Sequence, residues 1–225
     1  MLLQNEFSEI NDARRHEQLF RGDEFINRCA QLRVTICGVG ALGSNLVESL
    51  ARQGFQSLRV IDHDRVEEHN VGTQVYTLNN VGAWKVEVLR SHLFRIAEVD
   101  IDARRVELSE RTVRKCLRDS DVVIDAFDNS KSRRLVKTFC NEHSIACLHI
   151  GLANGYGEAI WNDRYRVRGN VDGDICNYPL ARNLVTLTVA VGAEILSRWI
   201  ESGTQDDASI TLSDFAIKPL ESSSL

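Results

Sequence analysis

Three glycines constrain the fold more than any other feature, because they lie between a short apolar run and a longer amphipathic one: Gly38, Gly40 and Gly43. Residues 32–37 before them predict a buried strand, and residues 41–55 after them have helical periodicity that ends at Gly54. A second strand pattern at residues 57–62 completes a β-α-β unit. In such a turn the first glycine allows the bend, the second lets a phosphate or ribose approach, and the third permits close helix–strand packing. The cluster therefore predicts a nucleotide site at a helix N-terminus.

Strand and helix patterns alternate along the rest of the first two thirds of the chain. Helical patterns at residues 81–97, 109–119 and 130–144 are separated by strand patterns at 100–108, 121–127 and 145–152. This alternation predicts an α/β fold with a doubly wound, Rossmann-like, mostly parallel sheet.

The pattern changes after Gly151. Residues 155–167 predict a hairpin, residues 180–203 a long, largely apolar helix, and residues 210–220 a final strand. We therefore expect an antiparallel C-terminal extension of the sheet. The expected organisation is an N-terminal helical segment packing on the domain (1–31), a nucleotide-binding domain (32–203), and a C-terminal strand and tail (204–225).

Composition excludes several classes of protein. The chain has 225 residues, 43% of them hydrophobic, which is enough for a buried core. Its net charge of −5 argues against a protein that coats nucleic acid. No apolar run reaches the roughly 18 residues that cross a bilayer, and the polar N-terminus predicts no signal peptide. The six cysteines form no C-x-x-C pair, so we expect no structural zinc and a cytoplasmic location.

Asp62 stands at the carboxyl end of the second predicted strand. A carboxylate there can accept hydrogen bonds from both ribose hydroxyls and repels a 2′-phosphate, which disfavours NADP. Asp64 suits a cap or turn as well as a ligand contact. These two residues alone leave a nicotinamide-dependent oxidoreductase open, although little chain remains after Gly151 for its substrate domain.

More polar side chains are expected at the same edge of the sheet: Asn70, Gln74, Lys85, Asp128 and Asn129. Taken singly, Lys85 fits a solvated helix lysine, and Asp128 and Asn129 fit a turn and helix cap. Together, a cation and a carboxylate beside a phosphate favour phosphate transfer over hydride transfer. Mg²⁺ prefers carboxylate oxygens, and the charge that develops on a phosphate requires a cation.

The chain resembles the ThiF/MoeB/HesA family of adenylyltransferases, relatives of the ubiquitin-activating enzyme, over about residues 14–200. The resemblance rests on four segments in the family's order and spacing: GVGALGSN, DHDRVEEHNVGTQVY, VGAWK and DAFDNSKSRR. It implies ATP and Mg²⁺ as cofactors. It also implies activation of the C-terminal carboxylate of a ubiquitin-like or sulfur-carrier protein ending in Gly, through an acyl-adenylate with release of pyrophosphate, by a homodimer.

The resemblance also implies a role for each matched residue. The turn from Gly38 to Gly43 and Asp62 would hold ATP, with Asp62 on the ribose. Asn70 and Lys85 would bind the phosphates and Asp128 would coordinate Mg²⁺, which makes Lys85 and Asp128 the expected catalytic residues. The remaining expected nucleotide-site residues support or extend this set: Asp64, Gln74, Asn129 and Arg133.

Three departures from the family pattern stand out. Thr73 replaces an expected arginine, so a positive charge on the triphosphate is missing and another arginine must supply it. The paired zinc cysteines are absent. The arginine that family members lend across their dimer is matched only by Arg14 or Arg15, and Glu17 occupies its aligned position.

Cys176 lies in the segment before the last predicted helix, where relatives that use a thiol carry a cysteine. Its thiolate would accept the activated acyl group, and the alternative is an inert, partly buried thiol.

Two other functions stay open for the whole chain. One is adenylation of a tRNA base, which the acidic pI disfavours. The other is a non-catalytic scaffold, which Thr73 favours.

Overall fold

An eight-stranded sheet organises the computed structural model, which describes residues 12–167 and 179–220. The strands are β1 (Arg33–Cys37), β2 (Ser57–Asp62), β3 (Asp102–Arg105), β4 (Val122–Asp125), β5 (Ala146–Ala153), β6 (Tyr156–Trp161), β7 (Ala208–Thr211) and β8 (Ala216–Pro219). Their order is β3-β2-β1-β4-β5-β6-β7-β8. The first five are parallel and the last three antiparallel. The predicted fold class is confirmed.

Helices cover both faces of this sheet. They are α1 (Arg15–Arg21), α2 (Asp23–Gln31), α3 (Ala41–Gln53), α4 (Lys85–Ala97), α5 (Val113–Leu117), α6 (Ser130–Glu142) and α7 (Arg182–Ser202). The described residues also form 3₁₀ turns before α1, at Asp12–Arg14, and between β2 and α4, at Glu68–Asn70 and Leu78–Asn80. The larger core lies under α2, α3, α4 and α7, and the smaller one under α5 and α6. Val34 and Ile36 face the larger core and Cys37 the smaller, as alternation along a strand requires.

The N-terminal segment packs against α7. Gly22 has a φ of +84° and separates α1 from α2. Arg28 donates to the carbonyl of Ile200 at 2.8 Å. Arg21 forms ion pairs with Glu17 on α1 and with Glu194 and Glu201 on α7. By length and composition α7 could cross a bilayer, but more than half of its apolar window is buried within the structure, and a core helix meets the same criteria.

Three predicted elements are corrected. The helix expected over residues 109–119 is reduced to α5, because the Thr112 hydroxyl binds back to Ser109 in a preceding turn. The final segment forms two strands, β7 and β8, joined by a turn in which Phe215 has a φ of +52°. The predicted hairpin exists, but its first strand is β5 and its turn lies at Asn154 and Gly155.

Candidate nucleotide-binding site

The glycine turn connects β1 to α3 at the carboxyl edge of the parallel strands. Gly38 has a φ of +85°, which L side chains rarely adopt. A Cβ on Gly43 would lie 1.9 Å from the carbonyl oxygen of Gly38, so only glycine fits there. A Cβ on Gly40 would meet nothing within 4 Å. Gly40 is also the N-cap of α3 and provides no side-chain acceptor, so the N-terminus of α3 has no side-chain cap within the described part of the chain.

Asp62 ties this turn to the end of β2. Its carboxylate oxygens accept the backbone N–H of Val39 at 2.8 Å and of Asp64 at 2.7 Å. The residue is only 6% exposed. Burial raises its pKa, and the nearby Lys85 ammonium and the two N–H donors oppose this without cancelling it. Asp62 therefore fixes the loops around the expected ribose position, and both its oxygens already accept one hydrogen bond.

Lys85 is the first residue of α4 and reaches back over the edge of the sheet. Its side chain is 9% exposed, and its Nζ lies 3.1 Å from a carboxylate oxygen of Asp64. Asp64, whose role the sequence analysis left open, thus holds Lys85 in place. The ligand atoms of Asp62, His63 and Asp64 lie within 4.8 Å of one another. The oxygens of Asp62 already accept hydrogen bonds and Asp64 already pairs with Lys85, so these three residues make a poor metal site.

The loop between β2 and α4 carries the expected amides. Asn70 is 5% exposed, and its side-chain oxygen accepts the N–H of Glu67 at 2.9 Å. Within the described residues its amide nitrogen has no partner. The Gln74 side-chain oxygen is buried and likewise has no donor in the described part of the chain. Asn45 on α3 donates to the carbonyl of Thr73 at 2.9 Å, which holds Thr73 beside the first turns of α3.

The segment after β4 packs against the glycine turn. A Cβ on Gly38 would lie 3.0 Å from Phe127 and 3.1 Å from the carbonyl of Ala126. Asp128 follows directly and is exposed. Asn129 caps α6 by accepting the N–H of Ser132 at 2.9 Å. Asp128 is therefore free to face a ligand, and Asn129 has a structural role within the chain.

Arg133 also has a structural role, at the centre of a buried network that the sequence analysis missed. Its guanidinium donates to the carbonyls of Phe127 at 2.5 Å and Ile150 at 2.7 Å, and to the Tyr165 hydroxyl at 3.1 Å. It lies 3.7 Å from the carboxylate of Asp125, which is fully buried. The sequence signal for this network is a polar residue within each of two apolar strand patterns, Asp125 and His149.

Asp125 and His149 form the core of this network. His149 Nδ1 lies 2.7 Å from the Asp125 carboxylate, and its Nε2 lies 2.6 Å from the side-chain oxygen of Asn162. Burial would raise the pKa of Asp125, but Arg133 and the hydrogen bond to His149 lower it below its usual value. The network joins β4, β5 and α6 and stays closed to solvent.

The remaining expected residues lie away from this edge or outside the description. The Arg14 side chain packs over Gly54 of its own chain, with its Cδ 3.5 Å from a Cβ built there. Gly54 ends α3 at the opposite edge of the sheet. Arg15 is exposed on α1, and Glu17 pairs with Arg21 at 2.7 Å. Cys176 lies outside the described residues. The other five cysteines are described, and they are free and buried.

Comparison with known proteins adds a family and a set of relatives. The sequence profile of the ThiF family matches residues 13–170. The SAMP-activating enzyme E1 of Haloferax volcanii is 30% identical over 140 residues, covering 61% of this chain and 52% of that protein. A tRNA threonylcarbamoyladenosine dehydratase of Haemophilus influenzae is 30% identical over 149 residues, covering 62% and 57%. Other relatives are named as adenylyltransferases of sulfur carrier proteins. The chain spans about half the length of the curated relatives it matches.

Among solved structures, E. coli MccB with AMPCPP and MccA has a TM-score of 0.77. The alignment covers 95% of this chain and 72% of that one at 15% identity. At this identity the likeness concerns the fold alone.

Proposed function

Because the chain belongs to the ThiF family, we propose that it is an ATP-dependent adenylyltransferase that activates the C-terminal carboxylate of a ubiquitin-like or sulfur-carrier protein. One observation carries this proposal. The buried lysine Lys85 is held by Asp64 at the sheet edge where the open Gly40 turn gives the N-terminus of α3 no side-chain cap. A cation beside an uncapped helix N-terminus suits a polyphosphate.

The residues present fit ATP and Mg²⁺. The space over Gly40 admits a phosphate, and the unpartnered amide nitrogen of Asn70 is a second donor. Asp128 is exposed and has no cationic partner among the described residues, so its carboxylate suits Mg²⁺. When bound, Mg²⁺ would neutralise part of the phosphate charge.

In the proposed reaction a carboxylate oxygen of the partner attacks the α-phosphorus of ATP. The new C(O)–O–P bond forms as the bond to the bridging oxygen of the β-phosphate breaks, and the electron pair leaves with pyrophosphate. Lys85 and the N–H groups of α3 would stabilise the charge that develops on the phosphate oxygens. Asp64 keeps the ammonium of Lys85 oriented, so little reorganisation is needed at the moment of transfer.

Exchange of labelled pyrophosphate into ATP, measured with candidate ubiquitin-like proteins, tests this function. We expect exchange only with a partner whose C-terminal carboxylate is intact. Lys85→Ala should reduce the rate about 10²–10³-fold, as loss of a transition-state donor does. Lys218→Ala, which removes an exposed lysine of β8, is the matched control and should leave it unchanged. Absence of ATP binding to the unaltered chain would refute the proposal.

Two other functions are separated by the same assay. A scaffold, which Thr73 favours, would bind ATP and partner without exchange, and Asp128→Ala would change nothing. In an adenylyltransferase Asp128→Ala should keep partner binding and abolish exchange. A tRNA substrate, which the name of the Haemophilus influenzae relative suggests, would support exchange or ATP cleavage with tRNA in place of protein.

We further propose that the chain is a homodimer in the cytoplasm. Free, buried cysteines at all five described cysteine positions fit a reducing compartment. Light scattering at micromolar concentration tests the dimer, and a monomer would count against it.

A further inference from the structure

A surface cavity of about 520 Å³, largely open to solvent, lies between α3 and α7, beside the loop that carries Thr73. Asn45 and Gln74 line it on one side and Arg182, the first residue of α7, on the other. Asn45 holds the carbonyl of Thr73 at 2.9 Å, so this cavity adjoins the position where the family arginine is missing. Gln74 contributes a buried oxygen without a donor among the described residues.

Among the described residues, Arg182 is the cation of this cavity that has no ionic partner. The second arginine in its lining, Arg52, forms an ion pair with Glu48 at 2.9 Å, and Glu48 also contacts His92 at 2.9 Å. Arg182 is exposed, and its side chain forms no hydrogen bond or ion pair with any residue in the described ranges. A contribution to helix stability does not explain an arginine at this position, because a cation in the first turn opposes the helix dipole. α7 also has neither a side-chain cap nor an acidic residue in its first turn.

The topology brings Arg182 to the edge where the nucleotide is proposed to bind. α7 ends at Ser202 and leads into β7, whose first residue, Ala208, pairs with Ala159, which lies opposite Ile150 in the middle of β5. Going backward along α7, Thr188 contacts Gly157, which pairs with Leu152 near the carboxyl end of β5. Arg182 lies six residues, or about 9 Å, further in that direction. The N-termini of α3 and α7 thus share the carboxyl edge.

We propose that Arg182 binds the β- and γ-phosphates of ATP and supplies the positive charge that Thr73 does not. This inference rests on the proposed function. The guanidinium would turn into the cavity, where the free oxygen of Gln74 can accept one of its N–H groups and leave the others for phosphate. An arginine presents several donors in one plane, which suits phosphate oxygens.

Calorimetric titration with ATP, pyrophosphate and AMP tests the inference without any partner protein. Arg182→Ala should weaken ATP and pyrophosphate binding at least about tenfold, as loss of a charge-assisted hydrogen bond does, and leave AMP binding unchanged. Arg182→Lys should recover part of the loss. Arg198→Ala, which removes an exposed arginine near the other end of α7, is the control and should match the unaltered chain.

A second arm exploits the missing arginine directly. Thr73→Arg in the Arg182→Ala background should restore ATP affinity, because both positions would serve the same phosphates. If the unaltered chain binds ATP but Arg182→Ala leaves ATP binding intact or weakens ATP and AMP equally, Arg182 does not contact the outer phosphates. A selective loss that Thr73→Arg fails to restore would overturn the claim that Arg182 replaces the charge missing at Thr73. Failure of the unaltered chain to bind ATP would instead remove the proposed function itself.

Discussion

At the scale of single residues, two glycines of one turn have opposite environments. Gly43 faces the carbonyl of Gly38 at a distance that excludes a methyl group, whereas Gly40 faces open space. Both fit the same Gly-x-Gly-x-x-Gly pattern in the sequence. The structure separates a glycine that the packing of α3 on β1 requires from one whose side-chain position is open, where we propose that the nucleotide approaches.

Gly43→Ala and Gly40→Ala should therefore fail in different ways. Gly43→Ala forces backbone apart and should lower the free energy of unfolding by about 3 kcal/mol or more. Gly40→Ala should change it by less than about 1 kcal/mol but weaken ATP binding about tenfold, because the methyl fills the space a phosphate would enter. Urea unfolding and calorimetry measure the two effects. Unchanged ATP affinity in Gly40→Ala would contradict this assignment.

At the scale of elements, the loop from β2 to α4 uses the same local structure twice. The 3₁₀ turns Glu68–Asn70 and Leu78–Asn80 each end in an asparagine whose side chain accepts the N–H three residues earlier, at 2.9 Å in both cases. Asn70 is buried at the edge of the candidate site, and Asn80 belongs to a turn on the surface. The Thr77 hydroxyl also donates to the Asn80 side-chain oxygen at 2.9 Å, but the backbone cap is the same in both turns, so a comparison of the two residues separates ligand binding from loop stability.

Asn70→Ala and Asn80→Ala should each cost about 1 kcal/mol of stability, the usual value of a lost cap. Only Asn70→Ala should also weaken ATP binding, because its unpartnered amide nitrogen is the donor proposed for the phosphates. Calorimetry on both variants below their unfolding temperatures decides this. Equal ATP affinities in the two variants would leave Asn70 with a structural role alone.

Local signals in the sequence predicted most of these elements. The glycine turn, the end of α7 at Gly203 and the alternation of strands and helices all follow from spacing and residue type. Local signals failed where contacts between distant residues decide the outcome. The shortening of α5 depends on the Thr112 hydroxyl, and the role of Asp64 depends on Lys85, 21 residues away. No local signal indicated that Arg182 would line a cavity whose Asn45 holds the carbonyl of Thr73.

At the scale of the whole molecule, buried and paired carboxylates link folding to pH. Arg133 and His149 lower the pKa of Asp125 against the effect of its burial, and His92 and Arg52 do the same for Glu48. A carboxyl whose pKa is lower in the folded state stabilises the fold above its unfolded pKa, and this stability is lost as pH falls. Asp62 has a raised pKa and acts in the opposite direction, so it stabilises only at low pH.

The carboxyl groups whose pKa is lowered include the buried Asp125. We expect their effect on the pH dependence of stability to outweigh that of Asp62. The free energy of unfolding should be steady near pH 7 and fall by at least about 1 kcal/mol as pH drops below the unfolded carboxyl values near 4. Urea unfolding at pH 7, 5 and 3.5 measures this change.

Arg133→Ala should lower the free energy of unfolding at pH 7 by about 3–5 kcal/mol, because Asp125 loses its buried cation, and should flatten the dependence on pH. Arg134→Ala, an exposed neighbour, should behave like the unaltered chain. If the pH dependence of Arg133→Ala matched that of Arg134→Ala, the Asp125 network would not be the source of acid sensitivity.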